Sequence, residues 1–440
     1  MKRQSVNVIT MGCSKNLVDS ERVIKMLSDA GVEAFHEHPG FKGDAIIINT
    51  CGFIGDAKEE SINAILEACE QKKRGSVRAV YVMGCLSERY AADLPGEIPE
   101  VDGWFGKFDW NAVVRRVSGR LPDVHKRQWE RKITTPSHHA YLKIAEGCNR
   151  MCGFCAIPLI TGRYRSRPIN EIVDEVVELV GKGVKEFNVI AQDLSNYGRD
   201  LGGRQSPSPL AQLLEAISDV DGVERIRLHY AYPAGFPEDI LPVMAARPNI
   251  CKYLDIALQH IDDTVLDNMH RHITARQTVE LLERIRREIP GIHIRTTLMV
   301  GFPGETDEAF ERLVDFVKEQ RFERMGAFKY CEEEDTRAAR EFEDDIPEEV
   351  KDARLDKLMA VQQTISQQIA DAKVEKTLNV IIDSEGDDFY VGRTEFDSPE
   401  VDPEVLVRKT TRLEIGNIYP IKIVEAYPFE LYGEVDDEKH

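Results

Sequence analysis

Apolar and polar residues alternate along the first third of the chain with two different periods. Short apolar runs predict strands at Val6–Thr10, Ala45–Asn49 and Ala79–Met83. The longer segments Val18–Ala30 and Ala57–Lys72 have the spacing of amphipathic helices. Strands that alternate with helices are typical of a parallel sheet, so this region predicts an α/β domain.

The same alternation continues at greater length in the middle of the chain. The strand candidates there are Ala140–Ala145, Glu186–Ala191, Glu224–His229, Tyr253–Leu258, His293–Val300 and Glu323–Lys329. A helix from about Pro347 to Lys373 closes this region. Six βα units fit a partial (β/α)6 barrel, and they also fit an open sheet, because periodicity does not separate the two.

The last part of the chain changes to short strands with turn residues between them. These strands are Leu378–Ile382, Phe389–Arg393, Val405–Arg408, Ile418–Val424 and Glu430–Val435. They predict a small antiparallel barrel. The polar, Pro-punctuated segment 118–139 predicts a linker. We therefore expect three domains, at residues 1–125, 138–374 and 375–440, with an overall α/β fold class.

Charge and composition narrow the choice of partners and compartment. The chain has 440 residues, a net charge of −20 and no apolar run long enough for a membrane span. Met1-Lys2-Arg3 leads into a strand rather than a signal peptide, so we expect a cytoplasmic protein. An acidic surface repels phosphate backbones and disfavours nucleic acid as a partner. Nine cysteines in a reducing compartment indicate metal binding or catalysis more than disulfides.

The most specific motif is Cys148-Asn-Arg-Met-Cys152-Gly-Phe-Cys155. Three thiolates within eight residues converge if the loop wraps around one object, and a cubane iron–sulfur cluster takes one cysteine at each of three irons. The fourth iron is then open for chemistry. A structural zinc site or buried free thiols are the alternatives, but zinc normally takes four ligands. The nearby pair His138 and His139 is expected to be solvated in the linker.

A second set of cysteines shares one context. Cys13, Cys51 and Cys85 each lie beside a glycine at the carboxyl end of a predicted strand. These ends share one edge of a parallel sheet, where residues far apart in sequence meet. Packing is the commonest role of a single buried cysteine, but the repeated context favours a second metal site. The remaining cysteines, Cys69, Cys251 and Cys331, lack this context and are expected to be packing or incidental thiols.

With these motifs the sequence resembles the radical S-adenosylmethionine (SAM) enzymes. The resemblance implies that the open iron binds SAM and that the reduced cluster cleaves it to a 5′-deoxyadenosyl radical. It also implies SAM-side positions at the ends of several barrel strands. These are Gln192 and Asp193 on the amino-group side, Gln259 and His260 on the ribose side, and Gly301, Pro303 and Gly304 on the adenine side. Turn chemistry explains the glycines and the proline equally well.

Two three-cysteine sites followed by a small barrel resemble the methylthiotransferase family over nearly the whole chain. The resemblance implies two 4Fe–4S clusters, one held by Cys13, Cys51 and Cys85 and the other by Cys148, Cys152 and Cys155. It also implies a TRAM domain at the carboxyl end, an electron donor and a sulfur donor. No side chain beyond the cluster ligands is assigned a catalytic role.

The family has two branches that differ in substrate. One modifies a tRNA adenosine, and the other modifies the β-carbon of an aspartate in the twelfth protein of the small ribosomal subunit. Met11-Gly-Cys-Ser-Lys-Asn-Leu-Val-Asp-Ser-Glu21 resembles the second branch. Residues 375–440 hold 17 acidic and 7 basic side chains, which favours a basic protein over RNA. The non-enzymatic alternative is an iron–sulfur electron carrier or sensor.

The acids of this last region are expected to lie in three exposed groups. They are Asp383, Glu385, Asp387 and Asp388 in one hairpin, Glu395, Asp397, Glu400, Asp402 and Glu404 in the next loop, and Glu434, Asp436, Asp437 and Glu438 in the tail. Solubility is the simpler explanation for such charge. Arg163, Arg165 and Arg167, after the cluster loop, could hold phosphates, but an ion-paired structural role is at least as well supported.

Overall fold

The computed structural model describes residues 3–120, 129–202 and 206–436. Its first unit is a parallel sheet in the order β2-β1-β3-β4-β5. The strands are β1 Ser5–Thr10, β2 Glu33–His36, β3 Gly43–Thr50, β4 Val77–Gly84 and β5 Gly103–Trp104. The helices are α1 Ser14–Asp29, α2 Gly55–Lys73, α3 Cys85–Arg89, α4 Leu94–Glu97 and α5 Trp110–Ser118. The predicted α/β domain is confirmed.

The second unit carries a parallel sheet whose strands follow chain order. It runs β6-β9-β10-β11-β12-β13. The strands are β6 His139–Lys143, β7 Ala145–Glu146, β8 Arg165–Ser166, β9 Glu186–Ile190, β10 Arg225–Ala231, β11 Ile250–Gln259, β12 His293–Val300 and β13 Arg324–Lys329. The helices are α6 Ile157–Thr161, α7 Ile169–Val180, α8 Pro209–Ser218, α9 Ile240–Ala246, α10 Asp263–Asn268, α11 Ala275–Glu288, α12 Asp307–Gln320, α13 Arg337–Glu341 and α14 Glu348–Asp371. This is the predicted partial barrel.

A small closed barrel completes the described chain. Its strands are β14 Thr377–Glu385, β15 Phe389–Thr394, β16 Glu404–Arg408, β17 Ile418–Ala426 and β18 Glu430–Val435. The circular order is β14-β15-β16-β18-β17. The predicted small antiparallel barrel is confirmed, except that β16 and β18 pair in parallel. A ring of five strands cannot alternate direction at every seam, so an odd number forces one parallel pair.

Buried ion pairs join the first two units. Arg131 lies within the predicted linker 118–139. It pairs with Glu21 of α1 and, at 2.7 Å, with Glu175 of α7. The expected boundary at residue 125 lies outside the described residues, as do Asp437 and Glu438. Within the described ranges, no helix has both the length and the apolarity of a membrane span.

Candidate functional site: two facing sets of cysteines

The three N-terminal cysteines meet at the carboxyl edge of the first sheet. Cys13 precedes α1, Cys51 follows β3 and Cys85 begins α3. Small residues permit this approach: a β-carbon on Gly12 would lie 2.8 Å from the Cys51 Sγ. A β-carbon on Gly52 would lie 2.7 Å from the backbone nitrogen of Leu86, beside Cys85. The glycines noted in the sequence therefore serve close packing of the three loops.

Asn16 connects these loops through hydrogen bonds of its side chain. Its side-chain nitrogen donates to the carbonyl oxygens of Met11 and Thr50, each at 3.0 Å. Its side-chain oxygen accepts from Lys107 Nζ at 3.1 Å and lies 3.6 Å from the Cys85 Sγ. The carboxamide is fully buried. One side chain thus connects the segments that carry all three cysteines.

The three thiols differ in their readiness to lose a proton. Burial raises the pKa of Cys51 to about 12 and also raises that of Cys85. The Cys13 thiol is open to solvent on one side but surrounded by protein, and this desolvation alone would raise its pKa. Lys15 and Lys107 outweigh it, and the Cys13 pKa is lowered. Thiolates are the metal-binding form, so Cys13 is the member most ready to ligate.

The second set lies on the loop that follows β7. Cys148, Cys152 and Cys155 follow a backbone anchored at both ends: the Cys148 N–H donates to Gly162 O at 3.2 Å, and the Gly153 N–H donates to Met269 O at 2.9 Å. The Cys155 N–H donates to Cys152 O at 3.0 Å, which turns the loop tightly. Burial raises the pKa of Cys148 to about 11 and raises that of Cys155 further.

An aromatic ring between two guanidinium groups lines this loop. Arg150 and Arg271 each lie 4.0 Å from the centroid of the Tyr232 ring. Arg271 Nη1 donates to the Cys152 Sγ at 3.4 Å, and Tyr232 OH lies 3.6 Å from the same sulfur. Donors around a thiolate stabilise its charge and tune any metal bound to it.

The two sets lie near one another at the boundary between the first two units. Cys85 packs against Ala156 and Ile160, in a cluster shared by α3 and α6. Ala156 is the residue next to Cys155. A buried polar network follows the same boundary: Lys107 pairs with Asp19 at 3.3 Å, Asp19 pairs with Lys143, and Lys143 pairs with Glu146 at 2.8 Å. The cysteine sets therefore belong to one site.

Two of the predicted SAM-side residues face this site with unused oxygens. Gln192 follows β9 and donates to Glu146, two residues before Cys148. Asp193 accepts from Arg150 Nε at 2.5 Å. One side-chain oxygen of each, Oε1 of Gln192 and Oδ1 of Asp193, is buried without a partner among the described residues. Two unpaired acceptors suit a ligand that brings donors, such as an ammonium group.

The ribose-side and adenine-side candidates are placed differently. His260 is buried, with Nε2 3.1 Å from Glu305 Oε1 and Nδ1 accepting from the Asp262 N–H at 3.0 Å, so both ring nitrogens are engaged within the protein. Gln259 ends β11 at a φ of 72°. The remaining candidates, Gly301, Pro303 and Gly304, form the turn between β12 and α12. Both glycines have φ values that favour glycine, 73° and 87°.

The residues present fit an iron–sulfur cluster better than a single ion. Among the described residues, no three His, Cys, Asp or Glu side chains lie close enough to hold one metal ion. Mononuclear zinc requires such a compact set, whereas a cubane takes each cysteine at a separate iron. His138 is not available as a fourth ligand. The expectation of a solvated histidine pair is wrong, because His138 is buried and lies 2.7 Å from Asp383.

Three family models match consecutive parts of the chain. The radical SAM superfamily matches residues 142–317, the uncharacterized protein family UPF0004 matches residues 5–106, and the TRAM domain matches residues 374–435. Among curated proteins, the ribosomal protein uS12 methylthiotransferase RimO of Bacteroides fragilis is 55% identical over 436 residues. That alignment covers 99% of this chain and 100% of the relative. The chain belongs to the RimO family. It is a radical-SAM methylthiotransferase.

Other comparisons agree with this RimO-family assignment. The RimO protein of Phocaeicola vulgatus is 55% identical over 438 residues, with 99% of this chain and 100% of the relative covered. Among solved structures, the radical SAM methyltransferase TsrM of Kitasatospora setae superposes with a TM-score of 0.55 at 15% identity. That likeness covers 74% of this chain and 75% of TsrM, and it shows the fold alone.

The acids of the small barrel were predicted to be exposed. This prediction is wrong for part of the loop after β15. Asp397 is buried and pairs with Arg324 of β13. Asp402 has a fully buried side chain, pairs with Arg295 of β12 at 2.7 Å and accepts from Tyr253 OH at 2.9 Å. Formal charge counted along a sequence does not show which acids meet a cation from another domain.

The hairpin behaves differently from this loop. Asp383 pairs with Arg393 at 2.6 Å as well as with His138. Asp387 and Asp388, at its tip, are exposed. The small barrel therefore contacts the second unit through two loop acids and through Asp383, and the hairpin tip is presented to solvent.

Several residues of the site were missed by sequence reasoning. They are Asn16, Lys107, Glu146, Arg150, Tyr232 and Arg271. Glu146 had an available signal, since it ends a strand two residues before Cys148. Asn16 and Arg150 also lie within three residues of Cys13 and Cys148 in the sequence, whereas Lys107, Tyr232 and Arg271 approach the cysteines only after distant segments fold together.

The remaining three cysteines agree with the expectation of packing or incidental thiols. Cys69 and Cys251 are buried, and Cys331 is exposed. Arg167 has the ion-paired role, with Glu175 at 2.7 Å.

Proposed function

We propose that this chain attaches a methylthio group to the β-carbon of an aspartate in ribosomal protein uS12. The observation that carries the proposal is the packing of Cys85 against Ala156, beside Cys155. This packing supports the proposal because it brings one thiol of the N-terminal set next to the loop that carries Cys148, Cys152 and Cys155. The substrate follows the name of the relatives, which match this chain end to end. We expect the reaction to take place in the cytoplasm, with an electron donor and a sulfur donor.

The proposed cofactors are two 4Fe–4S clusters and SAM. Cys148, Cys152 and Cys155 would hold the first cluster, and Cys13, Cys51 and Cys85 the second. When bound, these groups supply the one-electron cleavage of SAM and the sulfur chemistry. Three ligands to each cluster leave one iron free for a further ligand.

The chain's own residues would orient SAM and keep water away from it. The unpaired oxygens of Gln192 and Asp193 would accept hydrogen bonds from its amino group. The turn formed by Gly301, Pro303 and Gly304 would approach its adenine closely, since two of the three residues carry no side chain. Tyr232 and its two arginines would close the wall beside Cys152. No proton transfer by a protein side chain is required, because the substrate loses a hydrogen atom.

Iron analysis of cysteine variants tests the two-cluster assignment. Replacing Cys148, Cys152 and Cys155 with alanine should halve the bound iron and abolish formation of 5′-deoxyadenosine. Replacing Cys13, Cys51 and Cys85 should also halve the iron but leave SAM cleavage measurable. Replacing Cys69 and Cys251 is the matched control and should leave the iron content unchanged. Full iron in the N-terminal variant would exclude a cluster there.

Mass spectrometry tests the substrate. We expect anaerobic incubation with uS12, SAM, a reductant and a sulfur source to add one methylthio group to a single aspartate. Bulk tRNA treated in parallel should gain none. Modified tRNA with unmodified uS12 would reverse the assignment of substrate. Absence of 5′-deoxyadenosine under all conditions would instead support the electron-carrier alternative.

A further inference from the structure

A cavity of about 370 Å³ lies beside the buried network of the cysteine site, between the first unit and the partial barrel. The side chains that define it are Arg22 from α1, Phe108, Trp110 from α5, Trp129, Arg165 and Arg167. Three arginines and three aromatic rings are an unusual lining for a gap between domains. The volume falls within the range of small-molecule sites, ~300–1,000 Å³.

Donors in this lining are buried without acceptors. Within the described residues, Arg22 Nε, Trp110 Nε1 and Arg167 Nη2 are buried and have no hydrogen-bond partner. Arg22 is 8% exposed, and its guanidinium lies 5.2 Å from the centroid of the Trp110 ring. Buried donors are normally satisfied, because an unpaired one retains its full desolvation penalty. Three unpaired donors in one cavity indicate that a ligand supplies the acceptors.

The charges in the lining also favour an anionic ligand. The charge of Arg167 is met by Glu175 at 2.7 Å, and that of Lys143, also in the lining, by Asp19 and Glu146. Arg22 has no ion-pair partner among the described residues. Burial and the nearby Arg167 lower the pKa of Arg22, and together with Arg131 they outweigh Asp19 and Glu175, which raise it. Glu171 is also in the lining but lies exposed at its edge.

We propose that this cavity binds a small ligand that carries an oxyanion on a planar ring. The oxyanion, a phosphate or a carboxylate, would accept from Arg22, Arg167 and Trp110. Guanidinium groups suit both kinds of anion because their donors form a planar fork. The cavity is larger than a bare oxyanion needs. Its aromatic walls, Phe108, Trp110 and Trp129, suit a ring attached to that anion.

The position of the cavity connects its ligand to the cysteine site. Lys143 and Glu146 line the cavity and also belong to the buried network between the two cysteine sets. Glu146 accepts from Gln192, a proposed SAM-side residue. A bound anion would compete with Asp19 for Lys143 and with Glu175 for Arg167. The ligand is therefore expected to act as an effector of the site and not as a reactant.

Calorimetric titration of the full chain, anaerobically reconstituted and saturated with SAM, tests the proposal. The probes are adenosine monophosphate, indole-3-acetate and uncharged adenosine. We expect at least one anionic probe to bind with one equivalent and to change tryptophan fluorescence, because two of the three tryptophans line the cavity. Adenosine should bind at least tenfold more weakly than its monophosphate. Saturating SAM keeps the adenosine-containing probes out of the SAM site.

Variants separate a ligand site from a structural role. Arg22→Met should weaken binding of the anionic probe at least tenfold and leave the melting temperature of the ligand-free protein unchanged or higher. Trp110→Phe keeps the ring but removes the donor, and should also weaken binding, which preserves the test if Arg22→Met does not fold. Arg276→Gln, at a side chain that is 83% exposed, is the control.

Three outcomes would overturn the proposal. They are no binding of either anion at millimolar concentration, equal binding of adenosine and its monophosphate, and unchanged binding in a folded Arg22→Met protein. A large fall in melting temperature for Arg22→Met with unchanged binding would assign Arg22 a structural role.

Discussion

Asn16 shows how much of this site depends on a single side chain. Only an asparagine or glutamine side chain combines two N–H donors with a carbonyl acceptor, and Asn16 uses both capacities. Its donors hold the backbone beside Cys13 and Cys51, and its acceptor meets Lys107 and the thiol of Cys85. Aspartate has the same shape but no donors when ionised. The geometry of the three cysteines therefore rests on the chemistry of this amide, which no sequence period reveals.

Cys13 is expected to be the most reactive thiol of its set in the metal-free protein. Its pKa is lowered although burial opposes this, because Lys15 contributes the largest favourable interaction with the thiolate. Rates of alkylation by iodoacetamide, measured against pH and located by peptide mass spectrometry, should show Cys13 reacting several-fold faster than Cys51 at neutral pH. A lowered pKa means more thiolate at a given pH, so the Cys13 rate should reach its plateau at lower pH.

Lys15→Gln should shift that profile of Cys13 to higher pH. Arg78→Gln, at an 83% exposed side chain, should leave it in place. Faster labelling of Cys51 than of Cys13 in the wild-type chain would contradict the assignment.

At the scale of elements, the sequence predicts the longer strands and helices to within a few residues. β12 and β18 have the predicted bounds, and α14 differs from its prediction by one residue at the amino end and two at the carboxyl end. Buried strands and amphipathic helices repeat a pattern that is visible locally. β2 and β5 were missed because one has four residues and the other two, too few to show a period. The parallel seam between β16 and β18 depends on barrel closure, which is a property of the whole ring.

Gly52 tests whether close packing of strand ends is needed for the second cluster. Gly52→Ala would place a β-carbon 2.7 Å from the backbone of Leu86, so the ends of β3 and β4 must separate. We expect bound iron to fall by up to half and stability to fall by ~1–3 kcal/mol, the usual cost of overpacking. Iron analysis and thermal denaturation measure the two effects.

Gly96→Ala is the control for Gly52→Ala, because nothing lies within 4 Å of the added carbon. Full iron content in Gly52→Ala would show that the strand ends tolerate separation.

At the scale of the whole molecule, the cysteines of the site were predictable and their surroundings were not. Three cysteines at strand ends and three in one loop are local patterns that a parallel topology brings to one edge. That Cys85 packs on Ala156 depends on how two domains dock. The same docking explains the error over the acidic loop, whose residues meet Arg295 and Arg324 from the partial barrel.

Asp397 should contribute to stability through this docking. Burial raises its pKa, but Arg324 and Lys373 outweigh burial and lower it. A carboxylate with a lowered pKa stabilises the fold above its unfolded pKa of ~3.9 and loses this contribution as the pH falls through the folded value. Asp397→Asn removes the nearer acid from the buried Arg324 and leaves Asp402 at 4.0 Å, which should cost ~3 kcal/mol at pH 7, the lower end of the usual range for a broken buried pair. Urea denaturation should show the same difference at pH 5 and a smaller one below about pH 4.

Asp388→Asn is the control for this pH series, since Asp388 is exposed at the hairpin tip. An Asp397→Asn protein as stable as this control at pH 7 would exclude the docking role.

We expect the exposed hairpin tip to attract the basic substrate. Asp387 and Asp388 are exposed. Asp402 instead pairs with Arg295, so its replacement would disrupt the interface between the small barrel and the partial barrel. Asp387→Lys with Asp388→Lys should slow association with uS12 several-fold at low salt, because exposed charges act mainly on the rate of encounter. The difference should disappear near 1 M salt, where the screening length is ~3 Å.

Glu280→Lys with Asp315→Lys makes the same change in net charge on α11 and α12, at side chains 62% and 66% exposed. If this control slows association as much as the hairpin variant, the net charge of the molecule attracts the substrate and the hairpin has no special part. If only the hairpin variant is slow, encounter occurs beside the small barrel. Stopped-flow measurement of association over a salt series decides between these outcomes. SAM cleavage without substrate should be equal in all three proteins, because none of the changed side chains belongs to the cysteine site.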